Sequence, residues 1–236
     1  MAAILWSVMG CQYLQELRDD PVTVQWSGNV YALTEAAGEL VLLEEGGVTL
    51  TETDGAVIED GYLPFDDSPG FWRFDAAPTD QEVAIRVDGA DLTPTVWRGR
   101  SPTGLAIWLS GVVYAREVSI VDDLLTEFDG LGGVSPELMS AGTAALLWGE
   151  PLEPEDDWAN ATIEVVDGDG TAATVWRLVV DEDGTIREAD AGEPLDLFLA
   201  PNLAPGTVTM TIDGAQTDYN ALGGDVLSAV FYDLEE

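Results

Sequence analysis

GFWRFDAAPTDQEVAIRVDGA, from Gly70 to Ala90, is the stretch whose reading decides the fold. Apolar side chains fall at alternate positions in it, first Trp72 and Phe74, then Val83, Ile85 and Val87. A period of two places them on one face of an extended chain, so the spacing predicts two half-buried strands joined through Pro78. The design returns near the C-terminus in LDLFLAPNLAPGTVTMTIDGA, Leu195 to Ala215. Leu197 and Leu199 match Trp72 and Phe74. Val208, Met210, Ile212 and Asp213-Gly214-Ala215 match Val83, Ile85, Val87 and Asp88-Gly89-Ala90, all at one offset of 125 (208 minus 83). A strand plan that occurs twice predicts two tandem β-domains.

Outward from the first copy, Val22, Val24 and Trp26 alternate with polar residues and predict a strand running towards Leu33. Val48 and Leu50 share a face in Gly47 to Glu52, and Asp54-Gly55 and Asp60-Gly61 are turn signals. A strand through Trp97 follows Asp88-Gly89, and another runs through Leu105, Ile107 and Leu109 to Val113. Short strands punctuated by Gly, Pro and Asp turns read as an antiparallel sandwich. One helical pattern interrupts them. Ser119 and Asp122 form a capping box for a stripe of Ile120, Val121, Leu124, Leu125 and Phe128, and Gly130, Gly132 and Gly133 stop it. Ser135-Pro136-Glu137 starts a second short helix, and ALLWG (Ala145 to Gly149) opens the next run of strands. The expected organisation is an N-terminal segment 1–20, a first sandwich 21–118, a helical connector 119–142 packed between the sandwiches, and a second sandwich 143–236. VDGADLTPTVWR (Val87 to Arg98) and VDGDGTAATVWR (Val166 to Arg177) share more identities at an offset of 79 (166 minus 87). That register would align the end of one sandwich with the start of the other, so it is read as convergent strand sequence.

The charge balance excludes several classes of function. Asp and Glu number 45 against 8 basic residues, all Arg, for a net charge of −37. Such a surface repels nucleic-acid phosphates and anionic headgroups. Apolar residues make up 46% of the chain, enough to read it as folded rather than disordered. With no His and the single Cys11, Ser-His-Asp and Cys-His nucleophile systems, His-bound zinc and intrachain disulfides all drop out, leaving carboxylate chemistry as the enzymatic option.

GVTL at Gly47 to Leu50, the Asp-x-x-Gly-Phe-x-x-Phe of Asp67, Gly70, Phe71 and Phe74, and Ala77-Pro78 before EVAIRV together resemble a carboxypeptidase regulatory-like domain, the transthyretin-like β-sandwich. ATIEVV (Ala161 to Val166) and FLAPNLAPGTVTMT (Phe198 to Thr211) are similar to the same pattern. The second half lacks a clear Asp-x-x-Gly before its aromatic strand, and immunoglobulin-like sandwiches share much of this grammar. The fold expected is therefore all-β: two tandem antiparallel sandwiches, transthyretin-like or immunoglobulin-like Greek keys, joined by a short helical segment. The resemblance implies an accessory, non-catalytic role.

MAAILWSVMGC resembles the end of a bacterial lipoprotein signal, with Val8 and Gly10 in place before a lipidated Cys11 and Met9 out of pattern. The competing reading is a small N-terminal helix through Leu17 with Cys11 an ordinary core residue. Trp108 and Trp158 are the tryptophans expected at the surface, where a ring can stack on a sugar. Asp167, Asp169, Asp181 and Asp183 place carboxylates at alternate positions, a weak calcium pattern without the third acid and distal Glu of a full loop. Asp183-Gly184 also reads as the turn of a hairpin between Val180 and Ile186. No catalytic residue and no cofactor beyond calcium are assigned. The expectation is an extracytoplasmic, envelope-bound or secreted protein with a structural, adhesive or ligand-binding role and a glycan or surface-protein partner. It makes no nucleic-acid contact and reaches a membrane only through a lipid on Cys11. A carboxylate-dependent polysaccharide enzyme, or its carbohydrate-binding accessory module, and a calcium-stabilised spacer are the alternatives.

Overall fold

The computed structural model describes residues 23–33, 40–63, 68–102, 110–129, 141–151, 158–181 and 185–231. The strands before the helix are β1 (Thr23–Leu33), β2 (Leu40–Leu42), β3 (Gly46–Glu52), β4 (Val57–Leu63), β5 (Phe71–Pro78), β6 (Glu82–Gly89), β7 (Leu92–Arg100) and β8 (Ser110–Glu117). The helix α1 is Val118–Asp129. After it come β9 (Ala145–Pro151), β10 (Ile163–Val166), β11 (Trp176–Val180), β12 (Ile186–Glu188), β13 (Leu197–Leu203), β14 (Gly206–Ile212), β15 (Ala215–Ala221) and β16 (Val226–Phe231). The all-β expectation holds, with β1–β8 forming a first half and β9–β16 a second.

The alternating apolar residues are where the period of two puts them. Trp72 and Phe74 on β5 and Val83, Ile85 and Val87 on β6 are buried, as are Leu197 and Leu199 on β13 and Val208, Met210 and Ile212 on β14. The paired strands do not form hairpins. β5 pairs with β1, whereas β6 pairs with β3 and β7, so the chain crosses from one sheet to the facing one after Pro78. The crossing passes through Asp80, whose φ of 53° turns the backbone. β13 pairs with β9 and β11, β14 with β10 and β15, and Asn202 at φ 57° marks the second crossing.

The pairing correspondence goes further. β1 lies antiparallel to β5 and parallel to β8, and β9 lies antiparallel to β13 and parallel to β16. β3-β6-β7 in the first half corresponds to β10-β14-β15 in the second. The turns within these units differ. Ile212 faces Ala215 across Asp213 and Gly214, both at positive φ, a two-residue hairpin of the kind whose twist suits paired strands. The matching Asp88-Gly89 stays within or beside β6, and Gly89 faces Leu92 across Ala90 and Asp91. The Thr-Val-Trp-Arg repeats occupy different places: Trp97 lies in β7, beside β6, while Trp176 opens β11, which has left for the opposite sheet.

In the first half, the sheet β5-β1-β8 faces β4-β3-β6-β7 over a core of Val24, Trp26, Val48, Leu50, Trp72, Phe74 and the β6 residues. Trp26 and Trp72 meet edge to face, with ring centroids 5.4 Å apart at 79°, and Trp72 leans on Phe74 at 5.0 Å. Offset and edge-on contacts of this kind add to the burial itself. Glu59 on β4 closes the side of this sandwich by accepting the N–H groups of Asp75 (2.8 Å) and Ala76 (2.9 Å) on β5.

In the second half, the sheet of β11, β13, β9 and β16 is apolar on both faces. Leu147, Phe198, Ala200, Leu227 and Ala229 meet Val208, Met210, Ile212 and Tyr219 of the three-stranded sheet β10-β14-β15. On the opposite face Leu146, Trp148, Leu197, Leu199 and Val226 meet Val121, Leu124 and Leu125 of α1. The helix starts at Val118 directly after β8. It covers the second half's sheet rather than sitting between two sandwiches. Its stripe matches an open apolar sheet face, which one more layer must cover. The residues of the second expected helix lie outside the described residues, as does most of the segment through Leu105, Ile107 and Leu109.

The separate interiors expected for the two halves meet at one strand. Among the described residues, β8 borders β7 only at Leu92 and Thr93, and from Thr95 to Trp97 the same edge of β7 is filled by β16, in parallel. Thirteen strands thereby form one hydrogen-bonded sheet, with the run β12-β11-β13-β9-β16-β7-β6-β3-β4 through its middle. Pro94 occupies the change-over, where a residue without an N–H donor interrupts the ladder at least cost. Thr95, fully buried, donates its hydroxyl to the carbonyl of Thr93 at 2.9 Å.

Candidate functional site

The sequence-derived site residues scatter. Cys11, Trp108 and Asp183 lie outside the described residues. Trp158, expected as an exposed ring, is 9% exposed and packs into the core under β10-β14-β15. Its short 3-10 turn is pinned by Arg177, which donates to the carbonyls of Trp158 (2.6 Å) and Ala161 (2.7 Å). The acidic neighbours suggested a surface loop, but the large ring is taken into the core, which leaves little of it open to stacking.

Asp167 uses its carboxylate locally. Oδ1 accepts the N–H of Asp169 (3.1 Å) and of Thr171 (2.8 Å), which folds Asp167-Gly168-Asp169-Gly170 into a turn beside β10. Gly168 is needed there because a side chain would run into the backbone of Pro205, on the second crossing. Asp181 pairs with Arg187 at 3.1 Å. Among the described residues no three metal-ligating side chains converge. Asp167 is thus engaged at a turn and Asp181 in an ion pair. Val180 does face Ile186 across the β11–β12 hairpin.

Sequence reasoning missed the place where buried charge is concentrated, the junction of the halves. Arg86, on the outward face of β6, donates to Oδ2 of Asp225 at 2.8 Å. Asp225 is fully buried, and Oδ2 also accepts the N–H of Leu222 at 2.8 Å. Its other oxygen is buried without a hydrogen bond among the described residues. The Leu222–Asp225 turn is seated against the start of β9: Gly224 donates to Ala144, Leu146 donates to Asp225, and a side chain at Gly223 would collide with Gly142.

Beside this pair, Arg98 on β7 reaches towards Glu82 (3.8 Å), with its side chain only 12% exposed. It also faces the second half. Its charge acts on Asp218 and Tyr219 of β15. The hydroxyl of Thr209, before Gln216 and Arg98, holds the Asp218 carboxyl below its usual range, and burial pushes the Tyr219 phenol upward. Ala84 and Val96 join the second half's core between these arginines, and Asn220 donates to the carbonyl of Asp54 at 2.9 Å. A guanidinium–carboxylate pair with its carboxylate fully buried, an apolar contact and a shared ladder fasten two surfaces together. Nothing local announces the pairing: Arg86 and Asp225 are 139 residues apart. The one available signal was an arginine on a strand otherwise alternating with Val and Ile.

A second charged group lies at the far edge of the long sheet. Arg187 on β12 forks onto Glu193 (2.6 and 2.9 Å) and reaches Asp181. The guanidinium, followed by the N–H of Asp190, draws the Glu193 carboxyl down to about 2.

No family model and no curated protein matches this chain. Among solved structures, it is similar to the Bacillus anthracis TIE protein at 11% identity and a TM-score of 0.29, over 88% of this chain and 34% of that one, about a third of its length. It is similar to the shaft pilin SpaA from Lactobacillus rhamnosus GG at 10% identity and a TM-score of 0.30, over 91% of this chain and 100% of that one. It is also similar to GBS52, the minor pilin of Streptococcus agalactiae, at 9% identity and a TM-score of 0.26, over 89% and 94%.

Proposed function

We propose that this is a non-catalytic β-sandwich protein that works outside the cytoplasm as a structural or adhesive module. In this reading it is made of two units of one strand plan, 21–118 and 143–236, linked through 119–142. The observation that carries the reading is the recurrence of the pairing scheme on both sides of a junction fastened by β7–β16 and Arg86–Asp225. Two like units held at a fixed relation set the distance and orientation of the surfaces they bear, which a spacer or adhesin requires. The location rests on Val8, Gly10 and Cys11 of the lipoprotein-like N-terminus. No helix among the described residues is long and apolar enough to cross a membrane.

The full chain is to be incubated with a polysaccharide panel while released reducing ends are measured, and applied in parallel to a glycan array and to immobilised envelope proteins. Binding without release is the expected result. Release above the buffer rate would replace this reading with the carboxylate-enzyme alternative, and failure to bind any surface would remove the adhesive role. Intact mass of the membrane fraction tests the anchor: acyl chains on Cys11 are expected, and an unmodified full-length chain would refute it.

A further inference from the structure

We propose that this fold is built to be stable in concentrated salt, its surface repulsion being relieved by a diffuse atmosphere of cations and not by internal pairing or bound metal. The chain has 45 carboxylates, 8 cationic side chains and no lysine or histidine. The structure shows where the few cations go. Among the described residues, Arg73 pairs with Asp75, Arg86 with Asp225, Arg98 with Glu82, Arg100 with Asp80, and Arg187 with Asp181 and Glu193. Arg177 caps the carbonyls of Trp158 and Ala161. These six guanidinium groups each serve a contact within the chain, so the carboxylates beyond their partners have no mobile lysine ammonium to offset them.

The consequence is sharpest beside the β6–β7 hairpin. Gly47 faces Asp88 across the β3–β6 ladder, close to its carboxylate, and Gly89 lies against the carbonyl of Glu45. Glu44, Glu45, Asp88 and Asp91 are thus gathered at one end of the first half, all exposed. None of the six arginines above pairs with any of them. Among the described residues they form no chelating cluster. Like charges held apart by the fold but unable to share an ion repel across solvent, and salt shortens the reach of that repulsion from about 10 Å at 0.1 M to about 3 Å at 1 M. Unfolding separates the charges, so low salt favours the unfolded chain.

The test is a set of thermal melts of the full chain at neutral pH in rising KCl, alongside the variant Glu44→Gln/Glu45→Gln/Asp88→Asn/Asp91→Asn. The expected result is a midpoint that climbs by roughly 10 °C or more between about 0.1 and 2 M KCl, a response set by screening of the whole surface charge. The variant should melt higher than the parent at low salt and show a shallower salt dependence. Removing four surface charges does not strengthen the salting-out of apolar groups, so the slope difference isolates screening from the general stabilising effect of salt. A midpoint independent of KCl, or an unchanged slope in the variant, would overturn the proposal. So would a saturable rise with millimolar calcium at constant ionic strength, which would assign the effect to bound ions.

Discussion

In the first half Trp26, Trp72 and Phe74 fill the space between two sheets, and the outer face of β6 and β7 carries Arg86, Arg98 and Ala84 towards the second half. In the second half the sheet containing β9, β13 and β16 buries Leu147 and Phe198 on one face and Leu146 and Trp148 on the other. The two halves pair their strands in the same order, yet one has a single interior and the other two. The difference lies in what each sheet face meets. β4 extends the first half's second sheet beside β3, whereas β11 joins the opposite sheet beside β13, widening a surface that α1 then covers. A shared pairing order therefore leaves layer number open.

The comparison is broken most directly in the aromatic core. Trp72→Ala removes a fully buried ring from the single interior of the first half and is expected to cost about 3–5 kcal/mol. Urea denaturation should show it, and amide exchange should show whether the second half's protection falls with it, as the β7–β16 ladder requires.

Asp225→Ala is the next largest. It strands Arg86 at the junction, and loss of one partner of a buried pair costs about 3 kcal/mol, less to the extent that the quarter-exposed guanidinium recovers water. Its distinguishing outcome is that one unfolding transition separates into two, the halves losing protection at different urea concentrations. A single transition moved to lower urea would show that the ladder and the packing of Ala84 and Val96 on the second half's core suffice to couple the halves.

Gly168→Ala sharpens the comparison within the second half alone. The added methyl meets the Pro205 backbone, and such overpacking costs about 1–3 kcal/mol. Exchange should quicken in β10 and β14 while β3 and β6 are unaffected.

The smallest effect is at the sheet's far edge. The Glu193 carboxyl is lowered from an ordinary 4.5 to about 2 by Arg187, so its contribution is complete above pH 4.5 and is lost as the pH falls towards 2. Asp75, lowered by Gln25 and then Arg73, has the same sign. Glu193→Gln should therefore flatten the acid limb of the stability–pH curve below pH 4.5, with little change at pH 7 beyond loss of one surface ion pair, a contrast that acid titration followed by circular dichroism can measure.

The strands were legible because alternation is a local property. Val83, Ile85 and Val87 need only their own spacing to declare a buried face, and Val208, Met210 and Ile212 do the same. The helical stripe of Val121, Leu124 and Leu125 was legible for the same reason, while its resting place was not, since a stripe states that it must be covered and not by which sheet. Trp158 was misread because its acidic neighbours outweighed the ring in a local window, although a ring of that size is commonly well buried.

The junction had no local form at all. Parallel pairing of β16 with β7 depends on β8 leaving an edge free after Thr93, on Pro94 marking the change-over, and on the Leu222–Asp225 turn delivering a carboxylate to Arg86. The sequence by itself determined that the chain is built of alternating strands on a repeated plan, because the side-chain period is inherent in each extended segment. Only the tertiary structure decided that the two copies share one sheet and a buried ion pair, because the free energy of burying Asp225 depends on an arginine brought to it from the other end of the fold.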